Sequence, residues 1–137
     1  MNFNDIAKDL PSLLAALFTA ILFIQSGFDK VFDWNGNLEW LTGHFSSTPL
    51  AKMVPMMLAT VTLMEVATGL LAAAGIFYFL FTGSLLIVFI SGVVGALSIT
   101  ALFFGQRIAK DYAGAAVLVP YFILQLIVII LSNPHLR

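Results

Sequence analysis

Long apolar stretches, separated by short polar segments, fill most of this chain of 137 residues. The stretches lie at about residues 11–28, 52–74, 77–104 and 112–131. A run of about 20 apolar residues is long enough to cross the hydrocarbon core of a bilayer as a helix. Four such runs predict an all-α fold, a four-helix transmembrane bundle, and a single integral membrane domain.

Proline and glycine positions suggest where the helices begin and end. Pro11 suits the first turn of the first helix, because its missing N–H has no partner there. Thr48 and Pro49 are typical of an N-cap and first helical position at the second helix. Pro55 predicts a kink in the first turns of that helix. Gly75 is expected to end it and to make a tight turn into the third.

The longest polar segment, residues 29–52, predicts a short amphipathic helix between the first two spans. Asn35-Gly36 indicates a turn, and Asn37 is a candidate cap. Trp34 and Trp40 lie in this segment, and tryptophan prefers the headgroup level of a bilayer. We therefore expect this helix to lie in the membrane interface, with both tryptophans as anchors. Its apolar face would comprise Leu38, Leu41 and Phe45.

Composition supports the membrane assignment and excludes several classes of protein. Hydrophobic residues make up 61% of the chain and charged residues 9%, against about 45–50% and about 25% in soluble domains. A net charge of −1 provides no basic surface for nucleic acid. The absence of cysteine excludes disulfides and thiolate metal sites. His44 and His135 are single and far apart, so no metal site is expected.

The most informative polar residue is Glu65, an acid inside the second apolar stretch. Ionisable groups within membrane spans are costly, and each is a candidate for function. Lys30, at the end of the first helix, is the nearest base that Glu65 could meet. We predict an intramembrane polar cluster around these two residues. The other expected members are Gln25, Asp29, Tyr121 and Gln125.

Two interpretations of this cluster stay open. The first is structural, a buried ion pair that fixes the register of two helices. The second is functional, a site for a quinone or lipid headgroup, or a proton relay. No nucleophile with an adjacent base is visible, so catalytic residues are not expected.

Small residues form a stripe on each of the two middle helices. Glu65 shares its stripe with Thr62, Gly69 and Ala72, which turns the acid toward the other helices. Such residues let helix backbones approach closely in lipid. A packing seam within the bundle, a dimer seam and a ligand groove are the three interpretations. The stripe on the third helix comprises Ser84, Ser91, Gly95 and Ser98.

Two motifs in the first half of the chain resemble the DoxX family of small four-helix membrane proteins. The first is the string from Ser26 to Asp33, Ser-Gly-Phe-Asp-Lys-Val-Phe-Asp. The second is Glu65-x-x-x-Gly69, followed by Gly75. The family has a Gly-x-x-Lys turn and then an acid in a glycine-rich helix. The match covers the first two helices; the rest agrees only in hydropathy.

The resemblance implies that Lys30 and Glu65 correspond to the family's lysine and acid. It also implies a location in the bacterial inner membrane and a role beside membrane oxidoreductases, since the founding member is a subunit of a thiosulfate:quinone oxidoreductase. Redox members carry cysteines that this chain lacks, so their thiol chemistry is not inherited. We expect a non-catalytic subunit or partner without a resident cofactor, in contact with quinone or lipid, associating with other membrane subunits or with itself. An oligomeric small-molecule carrier and an assembly scaffold are the alternatives.

Overall fold

All regular elements in the described part of the chain, residues 3–136 of a computed structural model, are helices. Four of them are long and apolar enough to cross a membrane, which confirms the predicted all-α fold with four candidate spans. The helices are α1 (Phe3–Lys8), α2 (Leu10–Phe32), α3 (Trp34–His44), α4 (Val54–Thr82), α5 (Leu86–Ile108) and α6 (Tyr112–Ser132). A 3-10 turn, Ala51–Met53, leads directly into α4.

The four long helices, α2, α4, α5 and α6, pack as an up-and-down bundle. Each of them packs mainly on the next in chain order, and α6 makes a smaller contact with α2. Gly69 of α4 faces Ile24 of α2, and Gly75 of α4 faces Val88 of α5. Gly92 of α5 faces Val128 of α6. With three-residue connections between α4, α5 and α6, neighbouring helices run antiparallel.

Unlike a soluble bundle, this one exposes large apolar side chains and buries several polar ones beside its apolar core. Large apolar side chains are exposed along the outer faces, for example Leu63, Phe81 and Ile130. Small polar side chains are buried between the helices, since a bundle surrounded by lipid has no reason to hide apolar surface. The buried polar residues include Thr19, Thr62, Glu65, Thr68, Ser91, Ser98 and Gln125.

The helix starts near Thr48 and Pro55 differ from the sequence prediction. Thr48 does not cap α4; its hydroxyl donates to the carbonyl of Phe45 and accepts from the amide of Leu50, within a turn. The α-helix begins only at Val54. Pro55 thus lies in its first turn, where the missing N–H has no helical partner, so the predicted kink is wrong.

The turn expected at Gly75 is also wrong, because α4 continues through it to Thr82. The backbone N of Val88 lies 2.8 Å from where a Cβ of Gly75 would be, so this glycine serves a close helix contact. The turn comes at Gly83, whose φ of 75° is the left-handed conformation that favours glycine at a helix C-terminus. The shift leaves Ser84 in the turn, outside α5.

Helix α3 begins four residues earlier than predicted, at Trp34. Asn35 and Gly36 lie within its first turn, so they do not form a separate turn. The side-chain amide nitrogen of Asn37 donates to the carbonyl of Asp33 at 2.8 Å, so Asn37 does not cap the helix. The expected apolar face is present, since Leu38 and Leu41 are half-buried and Phe45, just after the helix, is buried.

Candidate functional site

The predicted pair of Lys30 and Glu65 forms in the structure. The ammonium Nζ of Lys30 lies 3.2 Å from Oε2 of Glu65. The same Nζ donates to the hydroxyl of Ser26 at 3.0 Å and to its carbonyl oxygen at 3.4 Å. Two bonds of ordinary length thus hold the ammonium, and its third N–H has only the more distant carbonyl of Ser26 as a partner.

The two members of the pair differ in burial. Side-chain exposure is 2% for Glu65 and 20% for Lys30, so the acid lies inside the bundle and the lysine reaches in from its edge. The second oxygen of Glu65, Oε1, has no hydrogen-bond partner among the described residues. Because a buried carboxylate without a cation is strongly disfavoured, Lys30 is the group that makes a charged Glu65 tolerable here.

Glycines bring α2 and α4 close enough for this pair. A Cβ on Gly69 would lie 2.7 Å from the backbone N of Ile24, and a Cβ on Gly27 would lie 2.6 Å from a methyl of Val66. Both glycines are buried. The close approach sets Lys30, one turn beyond Gly27, against Glu65, one turn before Gly69.

Gln25 and Asp29 do not join the pair, and this part of the predicted cluster is wrong. Both are exposed. The buried face of α2 carries Phe23 and Gly27, with Lys30 following at the same helical spacing. Asp29 is one residue before Lys30, about 100° around the helix, which turns it away from the bundle.

Gln125 is buried as predicted, but it belongs to a separate polar layer deeper in the bundle. Its amide nitrogen donates to the hydroxyl of Thr19 on α2 at 3.2 Å. Its Oε1 lies 2.6 Å from the position of a Cβ on Gly95, so the missing side chain at Gly95 makes room for the amide. Tyr121, one turn before Gln125, is half-buried.

The two small-residue stripes face the interior. Thr62, Gly69 and Ala72 are buried with Glu65 on α4, and Ser91, Gly95 and Ser98 are buried on α5. The contacts of Gly69 with Ile24 and of Gly95 with Gln125 lie between helices of one chain. Packing within the bundle is therefore what the structure shows for these stripes. Ser84 is half-buried in the turn.

A cavity of about 280 Å³ opens beside Lys30, between α3, α4 and the end of α5. Lys30, Asn37 and Gln106 supply its polar groups, and the walls are otherwise apolar or aromatic. We call it the α3 cavity. Its shape suits one small apolar group with a polar end, as in small-molecule sites where few polar groups fix the orientation. The remaining lining residues are Trp40, Leu41, Phe45, Val54, Met57, Leu58, Val61, Ala101, Leu102 and Gly105.

Helix α3 covers this cavity and is held at its far end by His44. The Nε2 of His44 lies 2.8 Å from Oε1 of Gln106 and 3.7 Å from Oδ2 of Asp111. The Trp40 ring stacks on the imidazole at 4.6 Å between centroids. No residue of α3 itself is buried. The His44 contact and the buried Phe45, just after the helix, help to hold α3 over the cavity.

The two tryptophans predicted as interface anchors both lie in α3. Trp34 is half-buried at its first residue. Trp40 is 61% exposed and yet lines the α3 cavity with part of its ring. Trp40 therefore contacts both the surroundings and the cavity.

The groups around the α3 cavity offer binding chemistry. An ammonium N–H, two amide groups and a mostly apolar wall can hold a molecule with a hydrogen-bond acceptor and a hydrophobic part. Within residues 3–136, no group of three or more His, Cys, Asp or Glu side chains is placed to hold a metal ion.

Sequence reasoning missed Thr19, His44 and Gln106 as members of these sites. Thr19 is one of few polar residues in the apolar run of α2, which was a usable signal. His44 and Gln106 are 62 positions apart, and nothing in their local sequence indicates that they meet.

Comparisons of the chain with models of protein families, with curated proteins and with solved structures gave no match.

Proposed function

We propose that this chain is a DoxX-like integral membrane protein of the bacterial inner membrane, acting as a non-catalytic subunit or partner of a membrane oxidoreductase. The four candidate spans and the pairing of Lys30 with Glu65 support this proposal. The resemblance singles out the same two residues.

The α3 cavity is the proposed contact with quinone or lipid, and the exposure of Lys30 to it is the observation that carries this step. Lys30 lines the cavity, and Glu65 holds its ammonium from the interior. A carbonyl or phosphate oxygen of a ligand can accept its remaining N–H, and the apolar walls can take a ring or the start of a tail. Quinones and lipids share this chemistry, an acceptor-bearing head on an apolar chain.

Helix α3 is proposed to lie at headgroup depth, so that a ligand reaches the cavity from the bilayer. Its exposed polar residues and the largely exposed Trp40 support this placement. In nanodiscs with lipids labelled by quenchers at graded depths, we expect shallow labels to quench Trp34 and Trp40 most. The control is Leu97→Trp in a variant with both native tryptophans replaced by Phe, since Leu97 is exposed at the middle of α5. Equal quenching profiles for the two proteins would overturn the interfacial placement.

The role as a subunit is tested by purification of the tagged chain from bacterial membranes in mild detergent. We expect larger oxidoreductase chains to co-purify in fixed ratio, and an unrelated tagged four-helix membrane protein to bring none. Recovery of the chain alone, with solute uptake after reconstitution in liposomes, would favour the carrier. Co-purifying chains without redox chemistry would favour the scaffold.

A further inference from the structure

Five buried side-chain oxygen atoms have no hydrogen-bond partner among the described residues. One of them, Ser132 Oγ, lies at the last residue of α6. The other four are Thr62 Oγ1, Glu65 Oε1, Ser98 Oγ and Gln125 Oε1. The residues are at most 6% exposed, and Ser98 and Gln125 are fully buried. Buried polar groups in native proteins almost always have a partner, either protein or ordered water, so this concentration in one bundle needs an explanation.

Helix register places the four atoms in one region. Gln125 Oε1 and the Thr68 methyl both face Gly95, which puts α4, α5 and α6 at one level there. Helices α4 and α5 are antiparallel. A step of three residues toward the N-terminus from Thr68 and a step of three toward the C-terminus from Gly95 therefore both move about 4.5 Å in the same direction along the bundle. Those positions are Glu65 and Ser98, which therefore lie at one level. Thr62 is one further turn toward Lys30.

The hydrogen-bonding properties of these atoms limit which molecule could lie between them. Glu65 Oε1 and Gln125 Oε1 only accept hydrogen bonds, so they cannot satisfy each other and need a donor between them. A metal cation is disfavoured, because Lys30 already places a positive charge on the same carboxylate. Water donates two hydrogen bonds, accepts two more, and is small enough for spaces between Ser, Thr and Gly side chains.

We propose that ordered water occupies the interior between α4, α5 and α6 and bridges Glu65 to Ser98, Thr62 and Gln125. The Lys30–Glu65 pair is thereby connected to the deeper Gln125–Thr19 layer. Water enters past Lys30, the partly exposed end of this polar region. Toward the other end of the bundle, an apolar cluster limits the hydrated region: Ala16, Phe79, Leu85, Val88 and Val128.

The sign of a stability change tests this proposal. If water bridges these hydroxyls, Thr62→Val and Ser98→Ala each remove a hydrogen bond, and we expect the melting temperature in detergent to fall by a few degrees. In a dry interior, the same changes remove an unpaired buried hydroxyl and raise the melting temperature. The control is Thr100→Val on α5, whose exposed hydroxyl donates to the carbonyl of Ala96; it should change the melting temperature less than either variant.

A measurement on the unmodified chain keeps the proposal testable even if the variants fold poorly. X-ray radiolysis converts bound water into hydroxyl radicals that oxidise adjacent side chains. Relative to the same residues in the unfolded chain, we expect strong oxidation at the buried Glu65 and Thr68. Much less is expected at Phe79, which is as deeply buried as Glu65 but lies in the apolar cluster. Equal, low oxidation of all three residues would overturn the proposal, as would increased stability of Thr62→Val and Ser98→Ala.

Discussion

Glu65→Gln and Lys30→Met should each destabilise the folded chain. The double variant should recover most of the stability that either replacement loses. Removing one member of a buried ion pair costs about 3–5 kcal/mol in soluble proteins, because the other charge is left uncompensated. Because Lys30 is partly exposed, we expect each single replacement to lower the free energy of unfolding by an amount near the lower of these values. The measurement is the free energy of unfolding, or the melting temperature, of all four proteins in one detergent.

The restoration follows from the geometry of the contact. The Lys30 Nζ and Glu65 Oε2 atoms are 3.2 Å apart, so the two substitutions act on one interaction and their effects cannot add. In the double variant, a neutral Gln and an apolar Met replace two charges that both needed compensation. The matched control is Asp29→Asn, since Asp29 is exposed beside Lys30 and should not couple to Glu65. Additive losses for Lys30 and Glu65 would show that the pair does not exist in the membrane.

The second large effect is expected from a single methyl group, in Gly69→Ala. Its Cβ would lie 2.7 Å from the backbone N of Ile24, and backbone cannot move aside as a side-chain tip can. Helices α2 and α4 must therefore separate, which also lengthens the Lys30–Glu65 contact. Overpacking of this kind costs about 1–3 kcal/mol, and we expect the loss of stability to be at the upper end. Thermal unfolding in detergent measures it.

Two other glycines provide graded comparisons for Gly69. Gly43→Ala adds a methyl where no atom lies within 4 Å, so it should be neutral or stabilise α3 by up to about 1 kcal/mol through helix propensity. Gly95→Ala meets the side-chain amide of Gln125, which can shift, and should have an intermediate effect. Equal effects for Gly69→Ala and Gly43→Ala would mean that α2 and α4 are not in close contact at Ile24.

The sequence predicted the elements of this fold better than their ends. Apolar length alone identifies a spanning helix, because the bilayer sets the requirement. The end of α4 was misplaced because Gly75 and Gly83 look alike in sequence; only packing shows that Gly75 faces the Val88 backbone while Gly83 takes a positive φ. Pro55 was ambiguous for the same reason, since its effect depends on how far it lies from the start of the helix.

The candidate site was predictable where one residue had one available partner. Glu65 and Lys30 are a lone acid and a nearby base in apolar surroundings. Their contact could be inferred from the energetic cost of leaving either charge unpaired there. Gln25 and Asp29 were misplaced because spacing defines a helix face without stating which face is buried. The α3 cavity depends on the position of α3 and on the contact of His44 with Gln106, two groups joined only by tertiary structure. Neither could be derived from local pattern.

Lys30, held by Glu65, is proposed to bind the acceptor group of an amphiphile in the α3 cavity. Trp40 lines this cavity, and in a Trp34→Phe background it is the only tryptophan of the chain. Its fluorescence therefore reports on an occupant of the cavity. Decylubiquinone serves as the quinone probe, and phosphatidylglycerol as the lipid competitor.

The most direct measurement is titration of that protein with decylubiquinone in nanodiscs of neutral lipid. We expect saturable quenching of Trp40, and loss of the saturable part in the stable Lys30→Met/Glu65→Gln variant. If phosphatidylglycerol competes with decylubiquinone, both head groups share the site. If it does not compete, the site is selective for quinone. Equal saturable quenching in the two proteins, or quenching that never saturates in either, would contradict the claim that Lys30 heads a binding site.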